Sequence, residues 1–349
     1  MDEYRKVLTA WYNANKRELP WRGTADPYKI WVSEVILQQT RVQQGMEYYH
    51  NFLLAFPDVK SLAGAPEEEV LKVWQGLGYY SRARNMHHAA RTILNNYGGT
   101  FPMDYASIRN LKGIGDYTAA AIASIAFNLP YAVVDGNVFR VLSRLFGLST
   151  PIDSPSGKKE FYALAQEMLD TSRPGDFNQA LMEFGAIQCI PGQPDCESCP
   201  LSPQCYACLN QDISSFPVKT NRVKQRERHL NYLCINWNDK LLLEKRGERD
   251  IWRNLYQFPL IETTLAKSPE EVINSAEWRV IVGNRRITLN SVSEVRTHIL
   301  THQRLMIRYF LLTMNGEELP DGTIAVSKSE IEKFAVPKPV EQFLLQMGY

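Results

Sequence analysis

The 349-residue chain lacks any strong charge of one sign: 39 lysines and arginines against 38 aspartates and glutamates leave a formal net charge of +1. A global basic field is thereby excluded. Any nucleic-acid binding has to come from local patches and backbone amides. The sequence has no long apolar span and no N-terminal charged-then-apolar signal, so nothing in it supports export or a membrane partner. No low-complexity tract and no repeat of fixed period is visible, which leaves an ordinary globular composition. The length allows two or three domains with a substantial core. Cysteine is sparse at six residues. With no sign of an exported chain, a disulfide framework is disfavoured.

Four of those six are nevertheless crowded together. Cys189, Cys196, Cys199 and Cys205 follow C-x6-C-x2-C-x5-C. Thiolates so close can converge on one metal centre, and soft sulfur selects zinc or an iron–sulfur cluster. Zinc knuckles normally present two evenly spaced pairs, whereas here a single C-x2-C has unequal flanks. The spacing leans modestly toward iron–sulfur and leaves zinc open.

Residues 1–215 read as mostly helical, with apolar residues at three- and four-residue spacing through Trp31 to Leu37, Val70 to Trp74, Ala119 to Ala126, Val138 to Leu145 and Phe161 to Leu169. Residues 216–228 read as a linker. They carry Lys219, Arg222, Lys224, Arg226 and Arg228, a solvated charge run or a phosphate contact. Residues 229–349 change character. Short apolar or alternating runs at Leu230 to Ile235, Leu241 to Leu243, Arg286 to Leu289 and Leu305 to Leu312 suggest strands. Helical stretches near 268–280 and 328–347 intersperse them, so this part is expected to be a separate α+β domain.

Within the helical part, Leu111-Lys112-Gly113-Ile114-Gly115-Asp116-Tyr117 has two glycines flanking one apolar residue. Such a pair permits a tight corner between helices and a close approach of bare amides to a phosphate at the next helix N-terminus. Twenty residues on, Asp135 opens another helix, where an N-cap is the simplest role. Glu34 lies among Ile30, Trp31, Val35 and Leu37, a carboxylate beside an apolar face. Burial would raise its pKa, while Asp135, near helix N-terminal amides, should stay ionised. Two carboxylates pushed in opposite directions are the usual equipment for breaking a glycosidic bond.

These residues bring a family into view. Leu19-Pro20-Trp21-Arg22, Ser33-Glu34-Val35-Ile36-Leu37-Gln38-Gln39-Thr40, Gly76-Leu77-Gly78-Tyr79-Tyr80, the hairpin with Tyr117, Val134-Asp135-Gly136-Asn137, Phe177-Asn178-Gln179-Ala180 and the cysteine quartet occur in that order. The chain resembles the MutY family of adenine DNA glycosylases, within the endonuclease III helix–hairpin–helix superfamily. The resemblance implies an all-α helix–hairpin–helix domain with a [4Fe–4S] cluster on the four cysteines, followed by an α+β Nudix-like domain. It implies base excision repair, with double-stranded DNA containing adenine opposite 8-oxoguanine, or guanine, as partner. By the same analogy Glu34 protonates a flipped adenine at N7. Asp135 stabilises the oxocarbenium-like sugar or attacks it, and Tyr117 and Asn137 support Asp135 through hydrogen bonds. Arg22 and Gln179 are carried over as contacts to the adenine, Gln39 and Tyr79 as side chains filling or wedging the stack, and Gly113 and Gly115 as backbone contacts to DNA.

Tyr117 stands where bifunctional relatives place a lysine, which implies a monofunctional enzyme that leaves an abasic site. Cys208 and Cys234 fall outside the pattern and are expected to be structural thiols, although the C-x2-C at Cys205 and Cys208 leaves the fourth ligand open between those two. Trp252 to Pro259 and Thr301-His302 resemble segments of the family's lesion-recognition domain, with Leu300 and Thr301 in place of its phenylalanine and serine. The Nudix catalytic box is absent, so no nucleotide-diphosphate hydrolysis is expected. A monomer is expected, in the cytoplasm of a bacterium and associated with its nucleoid, since little chain precedes the first motif. Two other classes stand beside this reading. A thymine or pyrimidine glycosylase of the same superfamily would share the hairpin, Asp135 and the cysteines, and a non-catalytic damage sensor would dispense with one of the carboxylates.

Overall fold

The structure, a computed structural model, describes residues 1–220, 225–248 and 250–349. Arg222 and Lys224 of the basic stretch lie outside the described residues. By internal contacts the chain forms two units, Met1–Gly64 with Asn85–Asn221, and Ala65–Arg84 with Arg222–Tyr349.

Helices come first in the chain: α1 (Asp2–Asn15), α2 (Pro27–Ile36), α3 (Val42–Ala55), α4 (Val59–Gly64), α5 (Glu67–Val73), α6 (Ser81–Tyr97), α7 (Tyr105–Arg109), α8 (Asp116–Phe127), α9 (Gly136–Phe146), α10 (Pro155–Met168), α11 (Pro174–Glu183) and the single turn α12 (Tyr206–Leu209). Their starts obey local chemistry. Asp26 caps α2 by accepting from the Tyr28 amide at 2.9 Å, with Pro27 at the first helical position, where its missing N–H costs nothing. Ser154 caps α10 in the same way. Helix α8 is buried from Thr118 to Ser124, and its run of alanines lets neighbouring helices approach closely. Helix α11 passes directly into one π-helical turn, Phe184–Gln188, that delivers Cys189. Phe161, Val138, Leu142 and Phe184 belong to the core of this unit.

The second unit is built on strands β1 (Arg226–Trp237), β2 (Lys240–Lys245), β3 (Tyr256–Gln257), β4 (Leu260–Thr263), β5 (Arg286–Val292), β6 (Arg296–Ile299), β7 (Gln303–Asn315) and β8 (Thr323–Val326). The order is β3-β2-β1-β7-β5, with β4 on β1, β6 on β7 and β8 on β2. β1 and β7 run parallel along their length, and the other pairs are antiparallel. Alternation along β1 sends Leu233 and Ile235 to a cluster with Trp278 and Phe310, while Tyr232 stacks on Tyr309.

Two stretches read as single helices are interrupted. Residues 268–280 divide into α13 (Pro269–Ile273) and α14 (Ala276–Val282), because Ser275 caps a new start. Residues 328–347 divide into a 3₁₀ segment, Lys328–Lys333, and α15 (Lys338–Gln346), with Pro337 resetting the backbone between them as the cap of α15. The basic stretch is not uniformly solvated either. Arg226 already pairs in β1, and Arg228 is buried between Asp250 and Glu262 at 2.7 and 2.6 Å. Its guanidinium satisfies two carboxylates at once, which is why a charge there can leave water.

Candidate active site and cysteine centre

A cavity of about 610 Å³ opens in the helical unit, lined by residues from the α1–α2 connection, α2, α8, α9 and α11. Glu34 enters it from α2 and is 8% exposed. The Tyr117 hydroxyl, from the first turn of α8, donates to its Oε2 at 2.5 Å, not to Asp135 as expected, and also lies 3.7 Å from Met182 Sδ. Burial drives the Glu34 carboxyl up to about 7, the Tyr117 bond opposes that rise, and the nearby Asp135 adds to it. Glu34 can therefore hold a proton near neutral pH. Tyr117 is itself pushed well above its ordinary value by burial and by the two carboxylates.

Asp135 caps α9. Its Oδ1 accepts from the Val138 amide at 2.7 Å and its Oδ2 from Asn137 Nδ2 at 2.7 Å. Asn137 is oriented in turn by Arg140, which donates to its Oδ1 at 2.8 Å and to the carbonyls of Gly185 and Cys189 at 2.6 and 2.7 Å. The expectation that the two carboxylates move in opposite directions is not met. Burial raises Asp135 as well, with the cap bonds pulling against it. An N-cap supplies hydrogen bonds but cannot restore the lost water.

Sequence reasoning missed a third carboxylate on the same cavity. Glu183, 1% exposed, accepts from Arg17 Nη2 and Arg22 Nη2 at 2.6 Å each, and from the Arg17 amide at 3.0 Å. Burial works to raise its pKa, but the arginine bonds outweigh that and hold it at about 2. Arg22 thus reaches the cavity with its charge already engaged, and Gln179 accepts from Tyr12 at 3.3 Å. The signal for Glu183 was the one used for Glu34, an acid inside an apolar run, Leu181-Met182-Glu183-Phe184. Gln39 lines the same cavity with φ +58°, a left-handed conformation that costs about 1–3 kcal/mol for a non-glycine residue.

At the hairpin between α7 and α8, Gly113 has φ +82°, and a Cβ there would meet the Asn85 side chain at 2.5 Å. Gly115 caps α8 without a side chain, which leaves the first-turn amides uncovered. In the other unit, Tyr79 (φ +48°) hydrogen-bonds to Thr301, which lies in the β6–β7 loop. His302 is exposed there, and its carbonyl accepts from Arg226 at 3.0 Å.

Cys189, Cys196, Cys199 and Cys205 line one further cavity of the helical unit. Their chemistry suits an anionic iron–sulfur group. Arg144 lines the cavity and lies 3.4 Å from Cys189 Sγ, and its buried Nε has no partner among the described residues. No three His, Cys, Asp or Glu groups among the described residues converge as closely as a single ion requires. Cys208 borders this cavity as well. Cys234 is buried in the strand unit.

Known proteins can now be set beside this geometry. Residues 32–168 match the HhH-GPD superfamily of base excision DNA repair proteins, and residues 231–346 match the NUDIX domain. An adenine DNA glycosylase of Homo sapiens is 44% identical over 95% of this chain and 72% of its own. One from Buchnera aphidicola subsp. Acyrthosiphon pisum (strain APS) is 32% identical over 98% of this chain and 96% of its own. The chain belongs to the adenine DNA glycosylase family. As a member of that family it is a DNA glycosylase. It spans 59% of the length of an Arabidopsis thaliana adenine DNA glycosylase, at 35% identity. A solved thermostable thymine-DNA glycosylase covers 60% of the chain at TM-score 0.56 and 32% identity. An endonuclease III in a non-covalent DNA complex covers the same share at TM-score 0.52 and 21% identity, a likeness of fold. Among the described residues no helix is long and apolar enough to cross a membrane.

Proposed function

We propose that this protein hydrolyses the N-glycosidic bond of adenine mispaired with 8-oxoguanine, or with guanine, in double-stranded DNA. The observation that carries the reading is Glu34. It is a buried carboxyl whose affinity for protons reaches neutrality, hydrogen-bonded to Tyr117 in a cavity shared with Asp135. The base has to leave the stack to enter such a cavity. Protonated Glu34 gives its proton to N7. The bond between the sugar and N9 then breaks, with its electron pair leaving on the base. Asp135 faces the oxocarbenium-like sugar as a stabilising anion or attacks it, and the ionised Glu34 then takes a proton from the incoming water. Tyr117 and Asn137 keep the two carboxylates in place. Arg22 and Gln179 contact the extruded adenine, and Glu183, an acceptor beside Arg22, suits its exocyclic amine.

Tyr117 has no amine with which to form a Schiff base, so the product is an abasic site. Gly113 and Gly115 present backbone amides to the DNA, and Gln39 and Tyr79 fill or wedge the stack. The Tyr79–Thr301 hydrogen bond supports a shared part for these two, with His302, in sensing 8-oxoguanine. We place the glycosylase domain at 1–215, followed by a linker that ends where the recognition domain begins with β1 at Arg226, without nucleotide-diphosphate hydrolysis in the last. A [4Fe–4S] cluster on Cys189, Cys196, Cys199 and Cys205 would supply a structural anchor for the loop that follows α11. The protein acts as a monomer in the bacterial cytoplasm, at the nucleoid.

The test is single-turnover cleavage of duplexes carrying adenine opposite 8-oxoguanine, guanine or thymine, read with and without alkali beside Glu34→Gln. Alkali-dependent cleavage at adenine opposite 8-oxoguanine, lost in the variant, is expected. Nicking without alkali, or excision of a pyrimidine instead, would move the chain to another branch of the superfamily. The likeness to the thymine-DNA glycosylase makes that second outcome the one to exclude.

A further inference from the structure

Five thiols, not four, border the cysteine cavity. Cys205 caps the single turn α12, and Cys208 lies three residues on, so the two side chains share a face of that turn. Cys208 and Cys196 line that cavity together. The four family positions are not equally secured. Cys189, Cys199 and Cys205 pack against the core built from Val138, Leu142, Phe161 and Phe184, whereas Cys196 is not among the residues packed there. It follows the exposed segment Ile190 to Gln193, held by the Asp195–Ser198 turn, in which Ser198 donates to Asp195 Oδ2 at 2.6 Å. A ligand fastened by a surface turn is the one whose bond opens at least cost, because no core packing is lost with it.

We propose that Cys208 is a stand-in ligand for the iron–sulfur cluster, poised to replace Cys196 at the same iron. The exchange balances without a redox partner. The iron–sulfur bond to Cys196 breaks and Cys196 takes up a proton, while Cys208 gives up its proton and its thiolate binds. Iron count and cluster oxidation state are unchanged. The inference rests on the cluster reading above and concerns only this chain's choice of thiol.

The experiment measures iron and sulfide per protein and the spectrum of the reduced or oxidised cluster, on anaerobically purified full-length protein. Wild type and Cys208→Ala should each carry about four irons, by the cluster stoichiometry. Cys196→Ala should keep a four-iron cluster with an altered paramagnetic spectrum, whereas Cys199→Ala and the double variant Cys196→Ala/Cys208→Ala should lose it. Loss in Cys196→Ala as complete as in Cys199→Ala overturns the proposal, as does retention in the double variant. Retention in Cys205→Ala equal to that in Cys196→Ala overturns the assignment to Cys196. A wild type without iron overturns the cluster reading itself, and the stand-in with it. Should the ligand variants fail to fold, ferricyanide bleaching of two intact holoproteins decides. Cys208→Ala should lose its cluster several-fold faster than wild type, and equal rates reject the role.

Discussion

Glu34 and Glu183 line the same cavity and are both nearly inaccessible to water, yet their proton affinities are pushed in opposite directions. Glu34 stands on α2 with a neutral phenol and a second carboxylate as its charged or polar neighbours, and it rises to about 7. Glu183 ends α11 against two guanidinium groups and is held at about 2. Burial alone therefore does not make a general acid. What separates the two is whether a cation compensates the lost hydration, since an opposite charge within a few ångströms favours the ionised form. The cavity pairs an acid that holds its proton with an acceptor that never does, which suits a base presenting both acceptor and donor edges.

The sharpest way to break the comparison is to remove the proton from one side. Glu34→Gln should lower single-turnover base release by roughly 10²–10⁴-fold while leaving duplex affinity and the folded spectrum unchanged. A loss under tenfold would deny Glu34 its role. On the other side, Glu183→Gln leaves Arg17 and Arg22 facing a neutral amide. It should cost about 3 kcal/mol in urea unfolding, the low end for a broken buried ion pair because Arg17 stays partly in water. Unchanged stability would mean that the pair is better hydrated than its burial implies.

pH separates the two further. Glu34 has a folded pKa above its unfolded one, so its contribution to stability is complete below the unfolded value and is lost as pH rises through about 7. Glu183 is the reverse: its contribution is present above the unfolded value and is lost as pH falls through about 2. Base release should accordingly decline roughly tenfold per unit above about pH 7, a limb absent from Glu34→Gln. A rate independent of pH between 6 and 9 would contradict this. The smallest effect concerns Tyr117. Its hydrogen bond favours the ionised Glu34, so Tyr117→Phe should move the alkaline limb upward. A downward shift would show that the phenol stabilises the protonated acid instead.

Glu34 was legible because an acid among Ile30, Trp31 and Val35 violates a helical apolar pattern, and Asp135 because it precedes a helix start. Glu183 breaks the pattern of α11 in the same way, but Arg17 and Arg22, which determine its state, lie more than 160 residues earlier. The direction of the Asp135 shift was misjudged for a related reason. Capping is a local property visible in four residues, whereas desolvation depends on which helices close over the site.

By itself the sequence determined the succession of a helical unit and a strand-bearing one, the helix start at Asp135, the use of glycine at the hairpin, and the crowding of four thiols. All of these follow from forces that act over a few residues, such as periodic burial, caps and permitted dihedrals. The tertiary structure alone decided that Tyr117 meets Glu34, that two arginines neutralise Glu183 and that Tyr79 reaches Thr301. Those contacts depend on how helices and loops pack, and protonation states follow from them because charge and solvation are sensed through space, not along the chain.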